Sequence, residues 1–201
     1  RYSIVQPTAN ANITAKALSV AGITANNRVY DGTVNATALL VKGSAALQGI
    51  IGADSVILST NNAAATFATK SIGTSKPVSI TGITISGTDA SNYTLTQPST
   101  TANITAKELT VTGITATNRV YDATTNATTL LAKGSATLVG TESGDVVVLS
   151  TTNATGTFAT KDVGEAKTIA VTGLVISGTN AAEYTLTQPS TTANITAKEL
   201  T

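Results

Sequence analysis

Residues Tyr93 to Lys107 read YTLTQPSTTANITAK, and the same letters return at Tyr184 to Lys198. A looser copy, YSIVQPTANANITAK, begins at Tyr2. Successive copies begin 91 residues apart, so the chain is a tandem array with a period of 91 residues. Self-similarity at a fixed period is the signature of repeat architectures, in which one folding unit is copied along the chain.

The period divides the chain into repeats of equal length. We place module one at 16–106 and module two at 107–197. We expect 1–15 to be the closing strands of a preceding repeat and 198–201 to be the start of a following repeat. The chain runs from the last strand of one module into the first strand of the next without a Gly/Ser-rich spacer, so we expect a short, stiff joint.

The two modules are close copies of each other. Of the 91 ungapped positions compared between 11–101 and 102–192, 59 are identical. Because duplication copies every residue, this identity says little about function. The differences are more informative, because core positions drift by exchanging one aliphatic side chain for another. Such exchanges predict four pairs of core positions: Ile72/Val163, Val78/Ile169, Ile80/Val171 and Ile83/Leu174.

The residue pattern is that of β-strands. Leu109 to Thr112 alternates apolar and polar residues, and no stretch shows a helical stripe. We therefore predict an all-β protein of two tandem β-sandwich-like modules of 91 residues, arranged end to end. Further strands are predicted, with equivalents 91 residues later, at 37–42, 45–49, 55–59, 65–70, 76–86 and 101–106.

Two segments between the strands carry specific predictions. Ile50–Ala53 is replaced wholesale by Thr141–Gly144 in the second module, which indicates a loop. Pro98 has no backbone N–H to donate within a sheet. We therefore expect the chain to cross between sheets or to follow a sheet edge at this proline.

Composition limits the classes of function. The formal net charge is +1, which argues against a nucleic-acid partner. No apolar run reaches the length needed to cross a membrane, so we expect no membrane insertion by this segment. The chain contains no His and no Cys, so it cannot form a Ser–His or Cys–His catalytic pair. We predict that it is not an enzyme, and that it uses no cofactor.

The motif NRVYDGT at 27–33, followed by segments of LxGSAAL type and FATK type and closing on YTLTQP and ANITAK, resembles the YDG repeat. This repeat is found in very large Gram-negative surface adhesins of the filamentous-haemagglutinin, two-partner-secretion type. The resemblance covers nearly the whole of both modules. It implies an extracellular, all-β stalk module at the bacterial cell surface.

The motif residues themselves are candidate site residues. They are Tyr30, Asp31 and Gly32 in module one and Tyr121 and Asp122 in module two. An exposed Tyr beside a carboxylate could contact a ligand. The competing interpretation is structural, with the Tyr packed at a sheet edge, its hydroxyl bonded, and the Asp closing an Asx-type turn. Ala123 replaces the glycine in module two, which argues against a required positive φ there.

The acidic and lysine positions are candidates for metal binding and for covalent cross-linking. Asp54 and Asp89 could contribute to a calcium site, but the acids do not cluster as calcium loops require, so we predict no metal site. An intramolecular isopeptide bond would need a buried Lys, an Asn or Asp, and a further acid to move the proton. The residues considered for it are Asp31 and Asp54 with the lysines that recur 91 residues later: Lys16, Lys42, Lys70 and Lys76.

The sequence favours a structural role. We expect stalk or spacer repeats of an extracellular bacterial adhesin, which project an adhesive region from the cell surface. The expected partners are neighbouring repeats of the same chain, with contact to a host or matrix surface left to other regions. Two alternatives stay open: a module that binds a glycan or a host surface protein, and an ice-binding surface built on Thr-x-Thr pairs such as Thr94/Thr96.

Overall fold

A computed structural model describes residues 1–200 of the chain. Within that range the structure is built from strands and short 3₁₀ segments and contains no α-helix. The predicted all-β fold of two tandem repeats is confirmed, and each repeat contains a curled sheet that resembles half of a barrel. None of the described residues forms a helix that is long and apolar enough to span a membrane.

The strands are short because Gly and polar turn residues interrupt the alternating pattern every few residues. The strands of the first repeat are β1 (Lys16–Ala21), β2 (Thr24–Ala25), β3 (Arg28–Val29), β4 (Leu40–Val41), β5 (Ala46–Gln48), β6 (Ile57–Ser59), β7 (Ala64–Phe67), β8 (Gly73–Thr81), β9 (Thr84–Ser86), β10 (Tyr93–Leu95) and β11 (Ser99–Thr105). Its 3₁₀ segments are Thr37–Leu39 and Ala90–Asn92.

The second repeat has the same series of elements. Its strands are β12 (Lys107–Thr112), β13 (Thr115–Ala116), β14 (Arg119–Val120), β15 (Leu131–Ala132), β16 (Thr137–Val139), β17 (Val148–Ser150), β18 (Thr155–Phe158), β19 (Gly164–Thr172), β20 (Val175–Ser177), β21 (Tyr184–Leu186) and β22 (Ser190–Thr196). Its 3₁₀ segments are Thr128–Leu130 and Ala181–Glu183.

Strand order is also the same in both repeats. In the first repeat, one sheet has the order β10-β1-β5 and a larger sheet has the order β3-β11-β8-β7, with the two-stranded pairs β2-β4 and β6-β9 beside them. The first strand pairs in parallel with the tenth, so that Lys16 lies opposite Tyr93. Such a parallel pair between distant strands closes each repeat on itself, since its two strands are joined by nearly the whole repeat.

The predicted core positions are confirmed at three of the four aliphatic pairs. Val78 and Ile169, Ile80 and Val171, and Ile83 and Leu174 are all buried. The fourth pair is a correction, because Ile72 is 36% exposed and Val163 is 54% exposed. Both of these residues lie in the turn that precedes a long strand (β8 or β19), outside the sheet. An exchange of one aliphatic side chain for another is tolerated there because neither side chain is packed closely against its neighbours.

Two predicted strands also differ from the structure. The stretch 76–86 is two strands, β8 and β9, separated by a turn at Gly82 with φ +76°. A Cβ at that position would lie 2.1 Å from the Asn62 carbonyl oxygen, so only glycine fits. The stretch 37–42 is mostly the 3₁₀ segment Thr37–Leu39, followed by the two residues of β4. Residues 1–15 are exposed and contain no strand, so their assignment to a preceding repeat stays a prediction.

The two predicted irregular segments are confirmed. Residues 50–53 and 141–144 are loops. At Pro98 the chain leaves the sheet that contains β10 and enters the larger sheet that contains β11. The proline therefore marks a crossing between sheets, where no backbone N–H is required of it.

By compactness the chain divides into two units that do not follow the repeat boundary. The first unit comprises 1–27, 34–69 and 75–103. The second unit comprises 28–33 and 70–74 together with the chain from residue 104 onward. Two short segments of the first repeat are thus part of the second compact unit, and these two segments carry Tyr30 and Lys70.

Candidate functional site

The motif turn after β3 is built by Asp31. Its Oδ1 accepts a hydrogen bond of 2.9 Å from the Thr33 backbone N–H, which is the Asx-type turn that the sequence predicts. Its Oδ2 pairs with the Arg28 guanidinium at 2.9 Å. Gly32, between the two bonded residues, has φ +74°. Both oxygens of the motif carboxylate therefore bond to residues of the same motif.

The same turn in the second repeat corrects the expectation about the glycine. Ala123 has φ +63°, so the position requires a positive φ in both repeats whether or not glycine fills it. Asp122 holds the alanine there by accepting the Thr124 N–H at 3.0 Å and pairing with Arg119 at 3.1 Å. The hydrogen bond from Thr124 and the charge of Arg119 lower the pKa of Asp122.

The motif tyrosine of the first repeat is directed away from its neighbouring aspartate. Tyr30 is buried, with 1% of its surface exposed, and its hydroxyl donates to Oδ2 of Asp145 at 2.8 Å. The Tyr184 hydroxyl donates to the same oxygen at 2.7 Å. The Lys70 ammonium pairs with Oδ1 at 2.9 Å. We refer to Tyr30, Lys70, Asp145 and Tyr184 as the aspartate cluster.

Ring contacts hold the aspartate cluster together around its carboxylate. The rings of Tyr30 and Tyr184 meet edge to face, with centroids 5.5 Å apart and planes at 76°. The Lys70 ammonium lies 5.9 Å from the centroid of the Tyr30 ring, within the range of a cation–π contact. The side chain of Asp145 is 1% exposed, whereas that of Lys70 is 42% exposed. The carboxylate is thus buried and the lysine remains in contact with water.

The elements that position these side chains are short and local. Tyr30 follows β3 directly, and Lys70 lies in the turn between β7 and β8. Asp145 lies in the loop between β16 and β17, and Tyr184 is the first residue of β21. All four belong to the second compact unit, where the segments 28–33 and 70–74 meet the loop of the second repeat.

The contacts within the cluster shift the pKa of each member so that the member keeps its usual ionisation state at neutral pH. Burial alone would raise the pKa of Asp145, but hydrogen bonds from Tyr184, Lys70 and Tyr30 outweigh it, and the pKa is lowered. Burial, together with the bond to Asp145, raises the pKa of Tyr184 to about 12 and also raises the pKa of Tyr30. The pKa of Lys70 is raised by its bonds to Asp145 and Tyr30. The cluster therefore consists of a carboxylate, an ammonium and two neutral phenols at neutral pH.

The first repeat contains the aspartate and tyrosine of this arrangement without the other two groups. The Tyr93 hydroxyl donates to Asp54 at 2.6 Å, and the Ile51 N–H donates to the same hydroxyl oxygen at 3.0 Å. Asp54 and Tyr93 lie 91 residues before Asp145 and Tyr184. They border a cavity of about 260 Å³ whose other lining residues include Ile13 and Lys16. At the equivalent position in the second compact unit, Tyr30 and Lys70 bind the carboxylate of Asp145.

The second repeat contains the complementary pair. Tyr121 and Lys161 lie 91 residues after Tyr30 and Lys70. Tyr121 is partly buried, and Lys161 is exposed. Among residues 1–200, neither the Tyr121 hydroxyl nor the Lys161 ammonium makes a hydrogen bond or an ion pair. Residues 1–200 therefore contain one complete cluster, an Asp54–Tyr93 pair without the other tyrosine and the lysine, and the side chains of Tyr121 and Lys161 without the acid.

Comparison with known protein families gives one match that accounts for most of the chain. The YDG domain matches residues 14–102 and again residues 105–193. The chain belongs to the YDG family. The two matched ranges begin 91 residues apart, which is the period of the sequence. No curated protein and no solved structure matches the chain.

The acids considered for metal binding in these YDG repeats are engaged by neighbouring polar groups. No group of three or more His, Cys, Asp or Glu side chains that could hold a metal ion occurs among residues 1–200. Asp54 is bonded by Tyr93, and Asp89 accepts the Ser55 N–H at 2.8 Å. Asp31, the other recurring acid, is bonded by Arg28 and Thr33. Each candidate acid thus has a structural partner of its own.

The isopeptide candidates are arranged as ordinary polar contacts. Lys42 donates to the Thr60 carbonyl oxygen at 3.1 Å, and Lys70 pairs with Asp145. Amide formation needs a neutral amine and a protonated carboxyl group. The raised pKa of Lys70 and the lowered pKa of Asp145 oppose both requirements. The geometry supports an ion pair.

The aspartate cluster is made of three residue types, Tyr, Lys and Asp, and the sequence contains all three as recurring residues without indicating that they meet. Lys70 recurs as Lys161, and Asp145 is the equivalent of Asp54. The contacts join Tyr30 to Asp145 across 115 positions and Lys70 to Asp145 across 75. The sequence does contain one signal for this contact. Tyr30, Lys70 and Asp54 each recur 91 residues later, and no acid lies close to Lys70 in the sequence.

Proposed function

We propose that this chain is a stalk or spacer segment of an extracellular bacterial adhesin, in which YDG repeats hold an adhesive region away from the cell surface. The family membership and the tandem repetition support this function. Such a role requires that successive repeats remain folded and connected, and it requires no reactive group. The Gram-negative surface and the two-partner-secretion relationship belong to the same proposal and rest on the sequence resemblance.

The observation that carries the proposal is the aspartate cluster. It combines Tyr30 and Lys70 from the first repeat with Asp145 and Tyr184 from the second within one compact unit. A buried carboxylate depends on its donors to offset the cost of removing its charge from water, so separating Asp145 from the segments that carry Tyr30 and Lys70 is unfavourable. The contact therefore resists separation of those segments, which is the property that a spacer requires.

Single-molecule force spectroscopy tests the mechanical part of the proposal. Each unfolding event should release about 300 Å of chain, the extended length of about 91 residues. Asp145→Ala should lower the unfolding force of the second compact unit, while Asp89→Ala, a change of another acid, should not. Unfolding of the unchanged protein at forces no greater than those of an unstructured chain would contradict a spacer function.

Cell-surface labelling tests the location. An antibody raised against this chain should label intact cells of the source organism, and labelling only after lysis would contradict the proposal. The principal alternative is a module that binds a glycan or a host surface protein. A glycan array and a host-cell binding assay with the isolated chain distinguish the two functions, because a spacer should bind neither.

A further inference from the structure

The chain contains two half clusters that complement each other. Asp54 and Tyr93 form an acceptor half, which has the carboxylate and one phenol beside a cavity. Tyr121 and Lys161, the equivalents of Tyr30 and Lys70, supply the second phenol and the ammonium, and we call these two side chains the donor half. Both halves repeat, at an offset of 91 residues, the residues that meet in the aspartate cluster. The complete cluster shows how the halves fit.

The acceptor half is already in the geometry of the complete cluster. The Tyr–Asp bond is 2.6 Å at Asp54 and 2.7 Å at Asp145. The backbone N–H that supports the tyrosine hydroxyl donates at 3.0 Å from Ile51 and at 2.9 Å from Glu142. Because binding to a preformed site requires little reorganisation, the acceptor half needs only the tyrosine and the lysine to complete it.

We propose that the cavity beside Asp54 and Tyr93 is a docking site for the Tyr121–Lys161 surface of a second copy of this chain. The lysine of the incoming copy would pair with Asp54, and its tyrosine hydroxyl would share the same carboxylate. The Lys161 ammonium and the Asp54 carboxylate have opposite charges, and the cavity of about 260 Å³ adjoins the carboxylate. This inference rests on the cluster geometry and holds whether or not the protein is a spacer.

The proposed contact joins two different surfaces, so it is heterologous. A heterologous contact that does not close into a ring produces an open chain of copies. Each docked copy would use its donor half and leave its own acceptor half free, and the preceding copy would keep its donor half free, so further copies could add at both ends. The contact is small, so it should be weak between separate molecules and strengthened wherever the copies are tethered, which raises their effective concentration.

Sedimentation velocity with complementary variants tests the docking. Asp54→Asn removes the negative charge that the incoming lysine would pair with, and the double variant Tyr121→Phe with Lys161→Gln removes the donor. At high protein concentration and low salt, each variant alone should sediment as a monomer. Their equimolar mixture should shift to the mass of a dimer, because one variant retains a donor and the other an acceptor. The unchanged protein should form longer, concentration-dependent species.

Controls separate docking from nonspecific association. Lys198→Gln removes the charge of another exposed lysine and should leave the association of the unchanged protein intact. Higher salt should weaken the association, since the pair at its centre is ionic. Circular dichroism establishes that each variant is folded. A monomeric unchanged protein at millimolar concentration, or association that persists in both single-half variants, would overturn the proposal.

Zero-length carbodiimide coupling gives a second readout that captures a weak complex. In a mixture of ¹⁵N-labelled and unlabelled protein, mass spectrometry should detect a Lys161–Asp54 amide joining one labelled and one unlabelled peptide. Lys198–Asp54 coupling provides the background level for an exposed lysine. A Lys161–Asp54 yield no higher than that background would contradict the assigned contact even if the protein associates.

Discussion

Asp145 and Asp54 occupy equivalent positions in two repeats of nearly the same sequence, yet their surroundings differ. The side chain of Asp145 is buried and binds two tyrosines and a lysine, whereas among the described residues Asp54 binds only Tyr93 through its side chain. The surrounding loop differs too, as Ile51 replaces Glu142. The difference shows that the same residues can be half of a site in one repeat and a complete site in the next.

The part of the site that is common to both repeats depends on the backbone. The N–H of Ile51 or of Glu142 donates to the tyrosine hydroxyl, and a backbone donor is present whatever the side chain. The loop sequence can therefore change completely without loss of the Tyr–Asp pair. What distinguishes the two sites is supplied by Tyr30 and Lys70, from outside the loop.

The largest expected effect is the loss of the central carboxylate. Asp145→Ala should reduce the free energy of unfolding by about 3 kcal/mol, because it leaves the hydroxyls of two buried tyrosines without their acceptor and removes the partner of Lys70. Asp54→Ala, which removes one hydrogen bond, should cost about 1 kcal/mol. Urea unfolding followed by circular dichroism measures both. Equal losses at the two positions would show that the extra donors at Asp145 contribute nothing to stability.

Alkaline pH should act on the complete cluster more strongly than on the half cluster. The pKa of Tyr184 is raised to about 12, against about 10 for an unfolded tyrosine. The neutral phenol is therefore favoured by folding, so its contribution to stability is complete below about pH 10 and is lost as the pH rises toward 12. The pKa values of Tyr30 and Lys70 are also raised and act in the same direction.

Urea midpoints measured between pH 9 and pH 12 test this expectation. Tyr184→Phe removes the ionisable hydroxyl and should flatten the decline in stability across that range. Tyr93→Phe is the matched variant in the first repeat, where the bond to Asp54 raises the pKa of the tyrosine without a second phenol or a lysine. A decline that is unchanged by Tyr184→Phe would contradict the assignment.

The two motif tyrosines provide a smaller and cleaner comparison. Tyr30→Phe removes one hydroxyl from a buried carboxylate and should cost about 1 kcal/mol. Tyr121→Phe should have no measurable effect on the monomer, since no bond of the Tyr121 hydroxyl occurs among residues 1–200. Thermal unfolding of both variants at low protein concentration measures the difference. A similar loss at both positions would mean that the ring environment, and not Asp145, accounts for it.

The parts of the fold that the sequence predicted are those with local causes. The alternation of Leu109 to Thr112 follows from the two-residue repeat of a strand, and the Asx turn at Asp31 follows from a side chain that bonds its own backbone two residues on. Pro98 predicted the crossing between sheets because a proline has no backbone N–H, a property that does not depend on distant residues. In these cases the physical cause lies within a few residues of the effect.

The parts that the sequence did not predict depend on distant contacts. Lys70 reaches Asp145 across 75 residues, and periodicity contains no information about which recurring lysine meets which recurring acid. The prediction that Ile72 lies in the core was wrong for a related reason. An exchange between aliphatic residues shows that the position accepts either side chain, but it does not show that the side chain is buried. Ala123 was misinterpreted because the neighbouring Asp122, and not the absence of a side chain, holds the positive φ.

The turn at Gly32 and Ala123 gives the smallest expected effect and a reciprocal test. Both residues have a positive φ, at +74° and +63°, and an L-residue with a Cβ is strained there by about 1 kcal/mol. Ala123→Gly should therefore stabilise the second repeat by somewhat less than 1 kcal/mol, because glycine relieves the strain but gains freedom in the unfolded chain. Gly32→Ala should destabilise by a similar amount, since its new Cβ would lie 3.4 Å from the Glu142 Cβ, an ordinary contact that adds no clash. Opposite signs in the two urea midpoints would establish that the turn imposes the conformation and the residue only adapts to it. If Ala123→Gly is destabilising instead, the alanine methyl group must contribute packing that outweighs the strain.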